Sequence, residues 1–100
     1  MHEIDIERQD YKSRGSYVAT VRGIHGIARL TYRRAKADLI VAERTETSEQ
    51  LQGHGVALAL VQRMVQDARR EAVKIYALCS YVEEERRSHP EWADVFYMPD

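Results

Sequence analysis

The chain has 100 residues, with 15 Lys and Arg against 16 Asp and Glu, a formal net charge of −1 and 44% hydrophobic residues. That length suits one domain spanning the whole chain, with room for a sheet and a helix or two but not for a nucleotide domain plus a separate substrate domain. The balanced charge argues against a dedicated nucleic-acid binder, and the low proline and glycine content fits an ordinary globular fold.

No apolar run approaches the roughly 18 to 20 residues that span a bilayer, and Met1-His2-Glu3-Ile4-Asp5 lacks a signal-peptide core, so no membrane association and a cytoplasmic location are expected. The lone cysteine, Cys79, excludes an internal disulfide and a cysteine-rich zinc site, and the histidines lack ligand spacing. No metal is predicted.

Residues 4–9 alternate apolar and polar, and residues 16–22 offer Tyr17, Val18, Ala19 and Val21, so both read as half-buried strands with a turn at residues 11–15. Gly23 and Gly26 bracket Ile24-His25 as a tight connection. A third strand follows, with Ala28, Leu30 and Tyr32 facing inward and Ile27, Arg29, Thr31 and Arg33 outward. The basic cluster Arg29, Arg33, Arg34 and Lys36 reads as a solvated strand face or a docking patch. After a turn at residues 35–38, Leu39-Ile40-Val41-Ala42 is apolar on both faces, as in a central strand, and the strand runs on toward Arg44-Thr45-Glu46.

Ala57, Leu60, Val61, Met64, Val65 and Ala68 recur at helical spacing, opposed by Gln62, Arg63, Gln66, Asp67, Arg69 and Arg70, with Leu58 the one poor fit. Residues 73–78 form another strand, so strand, helix and strand make a βαβ crossover with two parallel strands. Ser80 and Glu83 have the spacing of a capping box opening a helix over residues 81–88 that stops before Pro90. The aromatic tail from Trp92 to Tyr97 is expected to pack back on the body. The predicted architecture is α+β: an antiparallel meander extended by one parallel strand through a crossover helix, with a short C-terminal helix.

Gln52-Gly53-His54-Gly55-Val56-Ala57 precedes the amphipathic helix directly. A helix starting near Thr47 or Ser48 would enclose Gly53 and Gly55 at roughly 1 kcal/mol each, so the start is placed after them. No Ser, Thr, Asp or Asn then caps the first turn, and its N–H groups are left for water or an anionic ligand such as a pyrophosphate. The pattern is neither a Walker A loop nor a dinucleotide fingerprint, and the glycines alone could merely shape a turn. Cys79, at the end of the last strand and the start of the second helix, lies at the same sheet edge, where a helix N-terminus lowers a thiol pKa. A lone cysteine also serves as a small buried hydrophobe.

Gln52-Gly53-His54-Gly55-Val56-Ala57 resembles the Gln/Arg-x-x-Gly-x-Gly/Ala motif of the GCN5-related N-acetyltransferases. Ala77-Leu78-Cys79-Ser80-Tyr81-Val82 and His89-Pro90-Glu91-Trp92 resemble a small single-domain branch of that family, over residues 28–95 in all. The resemblance implies a compact acetyltransferase fold that uses acetyl-CoA. Gln52, Gly53, His54, Gly55, Val56 and Ala57 would hold the coenzyme A pyrophosphate. Arg44 and Thr45 would also bind the cofactor, Thr45 and Glu46 lying on the strand edge followed by the pantetheine arm, and Cys79 would sit near the acyl group. Arg44-Thr45 stands where this branch usually carries His-Thr, and Ser48 where it has a proline.

The expected activity is acetyl transfer from acetyl-CoA to a primary amine of a protein, a polyamine or a small molecule. Cys79 would be a proton donor to the leaving thiolate or an acyl acceptor, and Glu46 the candidate base. His54 would face solvent beside the phosphates, and His89 would end a helix. The alternative is a non-catalytic acyl-CoA-binding or protein-interaction module of the same fold, motivated by Arg44; nucleic-acid contact by the basic strand is a weaker third. A monomer or weak homodimer is expected, since residues 4–9 form an edge that could pair with a second copy.

Overall fold

The computed structural model describes residues 3–99. The elements are β1 (Ile4–Asp10), β2 (Arg14–Val21), β3 (Ile24–Lys36), β4 (Leu39–Thr47), a 3-10 turn (Glu49–Leu51), α1 (Val56–Glu71), β5 (Lys74–Ala77), α2 (Ser80–Ser88) and a 3-10 helix (Pro90–Val95). The strands form one sheet in the order β1-β2-β3-β4-β5. β1 to β4 are antiparallel neighbours and β5 runs parallel to β4, so α1 is the crossover that the sequence pattern requires. Phe96 then bridges Ile75, and the Tyr97 N–H donates to the Ile75 carbonyl at 2.7 Å, so the tail packs back beside β5.

The core lies between one sheet face and the helices. Tyr17, Ala19, Val21, Ala28, Leu30, Tyr32, Ile40 and Ala42 meet Leu60, Val61, Met64, Val65 and Ala68 of α1, with Val82, Trp92, Val95 and Phe96 closing the far end. Each large aliphatic side chain buried there contributes roughly 1.5–3 kcal/mol. Val41 is buried too but lies outside this cluster, because alternation along β4 turns it to the opposite face.

Four local expectations are corrected. The hairpin between β2 and β3 turns at Arg22-Gly23, with Val21 paired to Ile24, so Ile24-His25 lies within β3. Gly26 (φ 115°) is needed for close approach: a Cβ there would lie 2.7 Å from the Ser48 Cβ. Ser80 does not cap α2; Cys79 holds the N-cap position without a side-chain cap, and Glu83 is instead held by Arg86 and Arg87. The turns at either end of β3 and before β2 are shorter than expected because the strands extend into them.

The fourth concerns Asp67, which the helical pattern places on the solvent side of α1 but which is buried. Its carboxylate accepts the Tyr17 hydroxyl at 2.9 Å and is paired with Arg8 at 3.3 Å, Arg63 at 3.2 Å and Arg70. Arg8 stacks over the Tyr17 and Tyr32 rings and donates to the Tyr32 hydroxyl, which in turn donates to Asp10 at 2.7 Å. Position 67 follows Leu60 and Met64 at spacings of seven and three, so it lies on the sheet-facing flank, and the three cations make its burial tolerable.

Candidate functional site

The turn leading into α1 is built by what its residues can and cannot do. Ser48 starts a single 3-10 turn but caps nothing; its Oγ accepts the Ile27 N–H at 2.9 Å, and its own N–H donates to the Ile27 carbonyl at 2.9 Å, which ties the end of β4 to β3. Leu51 is buried beneath, and Gly53 (φ 85°) and Gly55 (φ 72°) take left-handed conformations that reverse the chain into α1. Gly55 is the N-cap of α1, which begins at Val56 with no side-chain cap. Its first N–H groups therefore have no intrahelical partner, and they carry the positive end of the helix dipole.

These groups face a cavity of about 250 Å³ lined by Thr47, Leu51, Gln52, Gly53, Gly55, Val56, Ala57, Leu58 and Tyr81. Nothing lies within 4 Å of the position a Cβ would take at Gly53 or at Gly55, so the main chain is open to a close-fitting group there. His54 is exposed and is not part of this lining.

The cavity abuts a split in the sheet. β5 pairs with β4 only as far as Ala42↔Ala77, and the N–H groups of Leu78 and Cys79 both converge on the Ala42 carbonyl, at 3.1 and 2.9 Å. Beyond this point β4 continues with β3 alone, leaving its other edge unpaired. A bulge marks the same place. The β3 register passes from Tyr32↔Ala42 to Thr31↔Arg44, leaving Glu43 without a partner and reversing the alternation of every later residue of β4. Thr45, opposite the core residue Leu30, thus points to the helix side, while Arg44 and Glu46, opposite Thr31 and Arg29, point to the other face.

On the helix side the Thr45 Oγ1 and the Cys79 Sγ lie 3.4 Å apart. Partial burial pushes the thiol pKa up, but the Thr45 hydroxyl and the backbone N–H groups of Val82, Tyr81 and Thr45 favour the thiolate and leave it below the ordinary value. Thr45→Val is expected to move the midpoint of Cys79 alkylation to higher pH, as measured by the rate of iodoacetamide reaction across pH. An unchanged midpoint would remove the hydroxyl from this account. Tyr81 shifts the other way: burial, helped by the charges of Glu85, Cys79 and Glu84, raises its pKa, so its hydroxyl stays protonated.

The structure therefore brings Gln52, Gly53, Gly55, Val56 and Ala57 onto one cavity and Thr45 against Cys79 beside it. Arg44 and Glu46 fall on the opposite face of the sheet, Glu46 lining a separate hollow with Ile27, Arg29, Thr47 and Ser48. Tyr81 was not singled out from the sequence. Its signal was its place two residues after Cys79, in the first turn of a helix whose start faces the glycine turn.

The model of the GCN5-related N-acetyltransferase family matches residues 16–95. The chain belongs to that family. The fold of this acetyltransferase-family chain is also similar to the NMR solution structure of a GCN5-like protein from Staphylococcus aureus, with 24% sequence identity and a TM-score of 0.67. That likeness covers 94% of this chain and 90% of the other. Comparison with curated proteins finds no match. Among the described residues of this family member, no helix is long and apolar enough to cross a membrane.

Proposed function

We propose that the chain is an N-acetyltransferase that takes acetyl-CoA at the glycine turn and passes the acetyl group to a primary amine. The observation that carries this reading is the joining of an uncapped helix start, flanked by two left-handed glycines, to the split between β4 and β5 where Thr45 and Cys79 meet. The residues fit such a cofactor: the N–H groups at the start of α1 suit a pyrophosphate, and the open space at Gly53 and Gly55 lets it approach the main chain. Gln52, Gly53, Gly55, Val56 and Ala57 would hold it, with Thr45 beside its arm and His54 outside the lining. Bound there, acetyl-CoA supplies an acyl group activated as a thioester.

The rest of the chemistry falls to this chain's own side chains. The Cys79 sulfur can give its proton to a departing thiolate, or as a thiolate accept the acyl group and pass it to the amine; its lowered pKa favours the second role. The Tyr81 hydroxyl, held protonated on the cavity wall, is then the available proton donor. The unpaired edge of β4 beyond the bulge offers main-chain N–H groups to a developing oxyanion. Glu46, across the strand, is the candidate to take the proton of the incoming ammonium.

Incubation with acetyl-CoA and a panel of primary amines, followed by mass spectrometry of the amines, tests the proposal. Acetylated amine formed in proportion to enzyme supports it. Tight acetyl-CoA binding with no acetylation of any amine would overturn it in favour of a binding module, the reading that Arg44 in the place of the branch's usual histidine would then explain.

A further inference from the structure

The sheet face away from the helices carries an unbalanced set of charges at the mouth of the split. Arg44 and Glu46 flank Thr45 in sequence and both turn outward, and Arg29 stands directly across from Glu46 on β3. All three are exposed, and none makes an ion pair or side-chain hydrogen bond with another described residue. This sets them apart from their neighbours: Arg33 on the same face is paired with Glu43 at 3.2 Å. Glu46 and Arg29 line a hollow of about 300 Å³, and Thr47 borders both this hollow and the cavity at the glycine turn. The two concavities thus meet across the last residues of β4 from opposite faces.

Resting on the acetyl-transfer reading, we infer that this outer face is the acceptor site and selects amines that also carry an anionic group. Residues i and i+2 of a strand lie about 7 Å apart, so a carboxylate near Arg44 and an ammonium near Glu46 are spaced like the two ends of a short ω-amino acid or of an acidic peptide N-terminus. Glu46 meets the ammonium and receives its proton. Arg44 holds the carboxylate through charge-assisted hydrogen bonds, and Arg29, across from Glu46 and diagonal to Arg44, adds positive charge to the face. A polyamine, with a second cation where the arginines stand, is disfavoured.

Three acceptors of one chain length test this: γ-aminobutyrate, its amide, and 1,4-diaminobutane, which place a negative, a neutral and a positive group at the far end. The expected order of kcat/KM is acid above amide above diamine, with about five- to tenfold between the first two, as one or two exposed charged contacts give. The gap should appear in KM and shrink as salt is raised. Arg44→Gln, alone and with Arg29→Gln, should flatten the order, whereas a merely structural arginine would lower all three rates together. Equal rates, or a faster diamine, overturn the inference and leave the acetyl-transfer reading standing. Acetylation of none of the three also overturns it, and that reading is then decided by the wider amine panel.

Discussion

Asp67→Ala is expected to destabilise the fold by about 3 kcal/mol and to lower the melting temperature by roughly 12–20 °C. The carboxylate is buried, and four donors converge on it. Two of them matter less after its removal: the Arg63 and Arg70 side chains are 36% and 68% exposed and can turn to water. Arg8 keeps its pairing with Glu71, at 2.5 Å, but the Tyr17 hydroxyl makes no other side-chain hydrogen bond among the described residues. The Tyr17 hydroxyl sits inside the core cluster and is left with an unmet donor, while Arg8, packed over two tyrosine rings, loses the buried one of its carboxylate partners. Asp67→Asn keeps an acceptor for Tyr17 and should cost less than alanine. Thermal unfolding of the two variants checks this, and a fall of under about 4 °C for alanine would mean that the network adds little.

The same network gives stability a pH dependence on its alkaline side. Burial first, and then the hydrogen bond to Asp67, raise the Tyr17 pKa above its ordinary value near 10. A group whose folded pKa is raised contributes in full below the unfolded value and loses that contribution as pH rises past it. Stability should therefore fall above about pH 10, and by less in Tyr17→Phe.

Cys79→Ala is expected to lower kcat by a factor of about 10² to 10⁴ while leaving acetyl-CoA binding in place, because the sulfur sits in the split rather than among the residues lining the cavity at the glycine turn. The steady-state rate with a saturating amine, set beside the binding constant of the same variant, separates the two effects. Acid quenching of the wild-type protein with acetyl-CoA and no amine should trap one acetyl group on Cys79. Undiminished turnover by Cys79→Ala would remove the thiol from the chemistry without touching the rest of the site.

Periodicity carried the fold further than it carried the site. Ala28, Leu30 and Tyr32 alternate inward as their spacing requires, and α1 begins where the cost of enclosing Gly53 and Gly55 forbids an earlier start. The pattern misplaces Asp67 because a carboxylate counts as polar there, while its burial depends on Arg8 and Tyr17 from distant strands as well as on Arg63 and Arg70 of its own helix. The capping box failed for a similar reason, since Arg86 and Arg87, one turn along, compete for Glu83.

The bulge at Glu43 is the decisive hidden feature. Strict alternation from Ile40 and Ala42 would send Arg44 and Glu46 to the helix side and Thr45 outward; one extra residue reverses all three and sets Thr45 against Cys79. No residue type marks that insertion in the sequence. Leu51 and Tyr81 were missed because each is held by a tertiary contact rather than by a repeating pattern.

The central claim is that the glycine turn and the start of α1 hold acetyl-CoA, and thermal unfolding with and without it tests this most directly. ATP serves as a control anion, and Gly55→Val as a control variant that fills the open space beside the helix start. Acetyl-CoA at about 100 times its dissociation constant should add roughly 2.7 kcal/mol and raise the melting temperature of the wild type by about 10 °C or more. ATP should give no comparable shift, and Gly55→Val should lose the effect. A wild type that melts at the same temperature with and without acetyl-CoA, or responds equally to ATP, would contradict the account.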